Sequence, residues 1–205
     1  IALALGEVKC NVVIVDLFKE SADKVAGELS EKHEIKSVGI TANVLDKMSL
    51  LKAKDEINAH FGRIDFLINA AGGNHPTATT KEEFIDPDKL KNLDGTFFGL
   101  NLDGFRHVFD LNFMGTLLPT MIFARDMVES KNGAIINISS MNSFRPLTKI
   151  PAYSAAKASI NNLTEWLAVH FAKVGVRVNG IAPGFFITKQ NKFLLIDKKT
   201  GDFTN

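Results

Sequence analysis

Five short runs of mostly apolar residues alternate along the chain with longer segments of helical period, and this alternation restricts the fold more than any other feature. The runs are Asn11 to Leu17, Lys36 to Thr41, Phe66 to Asn69, Ala134 to Ser139 and Arg177 to Ala182. They are rich in Val and Ile and do not alternate apolar with polar, so each predicted strand is covered on both faces. Between them the spacing predicts helices over Lys19 to Lys32, Asp46 to Phe61, part of Asp103 to Ser130, and Pro151 to Val174. Pro151 suits a first helical turn, where its missing N–H leaves no bond unmade, and Gly175 suits a C-terminal cap. Strand and helix in this order build an α/β fold, a doubly wound parallel sheet flanked by helices. A chain of 205 residues, 45% of them hydrophobic, fits one domain over 1–205.

Charge excludes several partner classes. Lys and Arg number 24 against 23 acidic residues, dispersed rather than blocked, so no footprint for nucleic acid or an anionic membrane is expected. Cys10 is the single cysteine and sits beside an apolar run, which predicts a buried reduced thiol and no disulfide or metal site. No apolar run approaches the roughly 20 residues of a membrane span, and a cytoplasmic protein is expected. The segment between Gly72 and Leu102 breaks the rhythm: it is polar, irregular and long for a strand-to-helix connection. Leaving the C-terminal end of a central strand, it reads as a lid over a ligand site.

The candidate chemistry begins with Tyr153, the only tyrosine, in the stretch IPAYSAAK. Lys157 follows four residues later, on the same helix face, where an ammonium favours the phenolate and lowers the phenol's pKa. Alone, Tyr-x-x-x-Lys is a weak pattern that a half-buried Tyr and a solvated Lys satisfy equally well. Ser140 ends a predicted strand thirteen residues earlier, and a strand-to-helix return brings its hydroxyl toward the phenol. Asn112 is a polar residue in an apolar helical stretch, either satisfied locally or holding a water.

Taken together, these spacings resemble the short-chain dehydrogenase/reductase family. The matching pieces are Asn69-Ala70-Ala71-Gly72, Asn112, Ser140, Tyr153-x-x-x-Lys157, and Pro183-Gly184 with Ile187-Thr188. The resemblance implies a Rossmann-like sheet binding a nicotinamide dinucleotide, with Tyr153 as general acid/base and Lys157 tuning it and holding the nicotinamide ribose. It further implies that Ser140 binds the substrate oxygen and Asn112 organises a relay water. Cofactor contacts are implied at Asp16, Leu17, Asn43, Val44, Asn69, Ala70, Ala71, Gly72, Tyr153, Lys157, Pro183, Gly184, Ile187 and Thr188. Asp16 ends its predicted strand where a carboxylate accepts from the adenosine ribose and repels a 2′-phosphate, so NAD is expected over NADP. It would equally cap the helix beginning near Lys19. Asn43 stands where the family usually carries Asp. The family's first strand and glycine-rich turn have no counterpart in the sequence, and both ends read as truncated.

Asn74, His75, Asn142, Arg145 and Gln190 suggest a polar substrate, Arg offering a planar fork for a carboxylate. Each has a plainer reading as a loop hydrogen-bonder or surface ion pair. The runs 69–76 and 139–153 are similar to a narrower branch, the D-mannonate oxidoreductases or fructuronate reductases. That likeness implies interconversion of D-mannonate and D-fructuronate. Gluconate 5-dehydrogenase, 3-oxoacyl-carrier reductase and a non-catalytic dinucleotide-binding regulator are the other readings. Family resemblance also implies a homotetramer or dimer.

Overall fold

A computed structural model describes residues 1–186, 196 and 200–202. The order is α1 (Ala2–Glu7), β1 (Val12–Asp16), α2 (Lys19–His33), β2 (Ser37–Thr41), α3 (Lys47–Phe61), β3 (Phe66–Asn69), α4 (Leu102–Phe109), α5 (Gly115–Ser130), β4 (Gly133–Ile138), α6 (Pro151–His170) and β5 (Val176–Ile181). The helices follow their apolar stripes. In α2, Ala22, Ala26, Leu29 and His33 are buried on one face, and in α3 Leu50, Ala53 and Ile57. Asp46 caps α3 by accepting from the Met48 and Ser49 amides. Gly175 adopts φ 69° after α6 and its trailing 3-10 turn, a left-handed position that glycine enters without strain.

All strand pairs are parallel, as expected, but they form two sheets. β1 pairs with β2, while β3, β4 and β5 pair in sequence order. Among the described residues no strand bridges β1 to β3. The two sheets are joined instead by a common core, in which Ile40, Leu50, Ile57, Ile122 and Phe123 pack with Val13 and Val15 of β1 and Leu67 of β3. A second core joins α5, β4, β5 and α6 through Met127, Ile135, Leu167, Val176 and Val178. Cys10 is half-buried, not buried as expected, because it occupies the turn between α1 and β1 rather than the strand itself.

The segment after β3 is clipped down rather than forming a free cover. It folds into 3-10 turns at Pro76–Ala78, Pro87–Lys89 and Phe97–Gly99. The Thr80 amide donates to the Lys149 carbonyl (3.0 Å) and the Thr148 hydroxyl to Glu83 Oε1 (2.9 Å). Both bonds tie the insertion to the loop that leads into α6.

Candidate active site

The ends of β3 and β4 meet α6 and a helical irregularity between α4 and α5. That irregularity is a π turn over Asp110–Met114, which carries Asn112 fully buried. Single π turns re-aim a side chain by one extra residue, and this one aims Asn112 at the chain leaving β3. Its Nδ2 donates to the carbonyls of Gly73 (2.7 Å) and Val108 (2.7 Å), and its Oδ1 accepts from the Gly73 amide (3.2 Å). Its own carbonyl accepts from Thr116 Oγ1 (2.9 Å). The Asn112 side chain is therefore a clamp on the turn after β3. Gly72 lies so close to this clamp that an added Cβ would sit 2.5 Å from Asn112 Oδ1 and 3.3 Å from Lys157 Nζ.

Tyr153 and Lys157 share one face of α6, as the spacing predicts. Tyr153 packs against the apolar cluster of Ala78, Val108 and Ala152, and burial pushes its phenol up from the ordinary value. The Ser140 side chain opposes that rise by hydrogen-bonding the phenol. Lys157, whose Nζ lies 5.7 Å from the Tyr153 ring centre, was expected to bring the phenol down. Burial overrides that expectation: the lysine is itself pushed down to about 8 by desolvation. Its Nζ donates to the Ile138 carbonyl (2.8 Å), engaging one of three protons.

Ser140 follows β4 and opens a 3-10 turn, Met141–Ser143, its hydroxyl accepting from the Asn142 amide (3.2 Å). Asn142 is buried and its Oδ1 has no partner among the described residues. Asn69 faces inward, where its Nδ2 donates to Thr120 Oγ1 (2.9 Å) and Asn137 Oδ1 (2.8 Å). Any contact of Asn69 with a ligand thus comes from its backbone. Ala70 and Gly72 are exposed beyond it, with Ala71 half-buried. The Pro183 carbonyl accepts from the Met141 amide (3.0 Å), and Gly184 is exposed. Ile187, Thr188 and Gln190 lie outside the described residues.

Asp16 and Asn43 stand apart, at the ends of β1 and β2. Asp16 Oδ1 accepts from the Phe18 amide (2.9 Å), while its second oxygen has no partner among the described residues. Leu17 is exposed beside it. Asn43 Oδ1 accepts from the Leu45 amide (2.9 Å), and Val44 packs toward Gly115. Of the predicted substrate residues, Asn74 donates to Thr79 Oγ1 (2.9 Å) and His75 caps the first 3-10 turn. Arg145 is exposed, and its guanidinium forms no ion pair among the described residues. Two residues that sequence reasoning passed over belong to the site's framework. Asn137 is a polar interruption of the apolar strand 134–138, and Asn161 lies one helical turn beyond Lys157. Those positions were the available signals.

The residues present fit a dinucleotide at its two ends. Asp16 offers an unengaged carboxylate oxygen suited to ribose hydroxyls. Lys157 is a buried ammonium with two protons unengaged among the described residues, a group that a polar ligand would stabilise.

The serine hydroxyl of Ser140 after β4 and the phenol and buried lysine of α6 are thus gathered at one end of the parallel sheet. The chain belongs to the short chain dehydrogenase family, matching it over residues 1–199. It is 50% identical over 197 residues to an uncharacterized oxidoreductase of Haemophilus influenzae, covering 96% of this chain and 68% of that one. A 2-dehydro-3-deoxy-D-gluconate 5-dehydrogenase of Formosa agariphila is 32% identical over 198 residues, covering 96% of this chain and 68% of that one. Among solved structures, a proposed D-mannonate oxidoreductase from Haemophilus influenzae with bound NAD superimposes with a TM-score of 0.92 at 48% identity. It covers 100% of this chain, which spans 72% of it.

Proposed function

We propose that the protein is an NAD(H)-dependent oxidoreductase that interconverts a secondary alcohol and a ketone on a sugar acid, D-mannonate and D-fructuronate. The observation that carries this reading is the convergence of Ser140, Tyr153 and Lys157, together with the 48% identity to the NAD-bound neighbour. When bound, NAD accepts or supplies the hydride. Everything else falls to the chain. The Ser140 hydroxyl binds the substrate oxygen and stabilises it as charge develops. Tyr153 moves the proton at that oxygen. A phenol held above its ordinary value is protonated at neutral pH, so Tyr153 is ready to donate to a ketone oxygen in reduction and must first lose its proton to serve oxidation. Lys157 would hold ribose hydroxyls with its remaining N–H groups and Asp16 would receive the adenosine ribose, while Asn112 fixes the Gly72–Gly73 turn. Arg145, exposed in the loop after Ser140 and without an ion pair among the described residues, pairs with the substrate carboxylate.

Exposed apolar side chains on α5 and α6, among them Met121, Trp166 and Val169, support self-association through these helices. Light scattering of the purified protein reads the subunit number. The function is tested by steady-state kinetics on a panel of hexuronates, aldonates, neutral polyols and acyl thioesters with both cofactors. The expected result is highest kcat/KM on D-mannonate and D-fructuronate with NAD(H), and loss of turnover in Tyr153→Phe with NAD affinity retained. Turnover of acyl thioesters alone, or wild-type rates in Tyr153→Phe, would overturn the reading.

A further inference from the structure

We infer that Asn161 is a positioning residue for the reaction: its side-chain amide fixes the 3-10 turn that holds Ser140. The inference rests on the proposed role of Ser140. The turn after β4 contains only three residues and is tied on one side by the Met141 amide, which donates to the Pro183 carbonyl (3.0 Å). Asn161 ties it from the other side, from α6. Its Oδ1 accepts from the Ser139 hydroxyl (2.5 Å), which also lies 3.2 Å from the Lys157 carbonyl. Its Nδ2 donates to Ser143 Oγ (2.8 Å). Ser143 in turn donates its hydroxyl proton to the Ser140 carbonyl (2.5 Å), which also accepts from the Ser143 amide (3.0 Å).

One side chain therefore grips the residue before Ser140 and, through Ser143, the carbonyl of Ser140 itself. The polarity is consistent along the whole chain: Ser139 donates, Asn161 accepts and donates, Ser143 accepts and donates, and Ser140 accepts. Because Asn161 stands four residues after Lys157, the same helical face that presents Tyr153 and Lys157 also sets where Ser140 sits relative to them. The helix and the strand end are held in register by an amide that touches no reacting atom.

The test is a mutant cycle assayed with D-mannonate and NAD. Asn161→Ala should lower kcat roughly tenfold, the scale on which misplacement by a fraction of an ångström acts, with KM for NAD unchanged. In a Ser140→Ala background the same change should cost less than about twofold, because there is no hydroxyl left to misplace. Ser143→Ala should reproduce the Asn161→Ala loss, and the Asn161→Ala/Ser143→Ala double variant should be no slower than either single. Fully additive losses, or a fall in thermal midpoint with kcat intact, would overturn the inference. If Ser140→Ala and Tyr153→Phe both keep wild-type rates, the functional reading itself fails, an outcome distinct from the failure of Asn161 alone.

Discussion

Lys157 is a buried cation with no carboxylate partner among the described residues, and its burial makes the stability of the fold depend on alkaline pH in a sign opposite to that of a surface lysine. In the folded state the ammonium titrates near 8, against 10.5 for the unperturbed group. Below pH 8 both states carry the proton, and the folded protein bears the full desolvation penalty. Between 8 and 10.5 the folded state loses its proton while the unfolded chain keeps it, so stability rises with pH through this window. From pH 7 to pH 10 the gain is on the order of 2–3 kcal/mol at about 1.4 kcal/mol per pKa unit. Tyr153, pushed up, contributes with the opposite sign, but only as pH passes its ordinary value of 10.0. The assay is urea denaturation at intervals from pH 7 to 10 for the wild type and Lys157→Met. Losing the bond to Ile138 shifts the variant equally at all pH, so the difference in slope isolates the ammonium. The wild type should gain stability relative to Lys157→Met across the window. Parallel curves would refute the reasoning.

Other perturbations follow from distances and exposure. Gly72→Ala should destabilise the protein by about 1–3 kcal/mol, since the new methyl displaces Asn112 from Gly73; an unchanged melting temperature would remove the clamp. Asp16→Ala should lower the ratio of kcat/KM for NAD over NADP roughly tenfold, read by kinetics with both cofactors. Arg145→Ala should raise KM for D-mannonate roughly tenfold while leaving a neutral polyol unaffected, and equal effects on both would refute carboxylate pairing.

The elements most legible in the sequence were those whose burial repeats with a simple period. All five strands and the main helices appear within a few residues of their expected bounds, because continuous Val and Ile runs and i, i+3, i+4 stripes leave few alternatives. The juxtaposition of Ser140, Tyr153 and Lys157 was legible through spacing. What was not legible depends on contacts between distant segments. The inward turn of Asn69 requires Thr120 and Asn137 to arrive beside it, from 51 and 68 residues away. The upward shift of the Tyr153 phenol requires Ala78 and Val108, contributed by an insertion and a different helix, and spacing within α6 could show only the lysine.

The clip between the insertion and the approach to α6 bears on how such a scaffold could be re-engineered. Residues 81–98 are largely exposed, which invites their replacement. Yet Thr80 and Glu83 hold the backbone and side chain of the two residues just ahead of Ile150, where the helix bearing Tyr153 begins. A loop exchange that discards those two handholds would leave the first turn of that helix loosely seated, so a designer altering substrate preference there should graft inside the clip and leave its two ends in place.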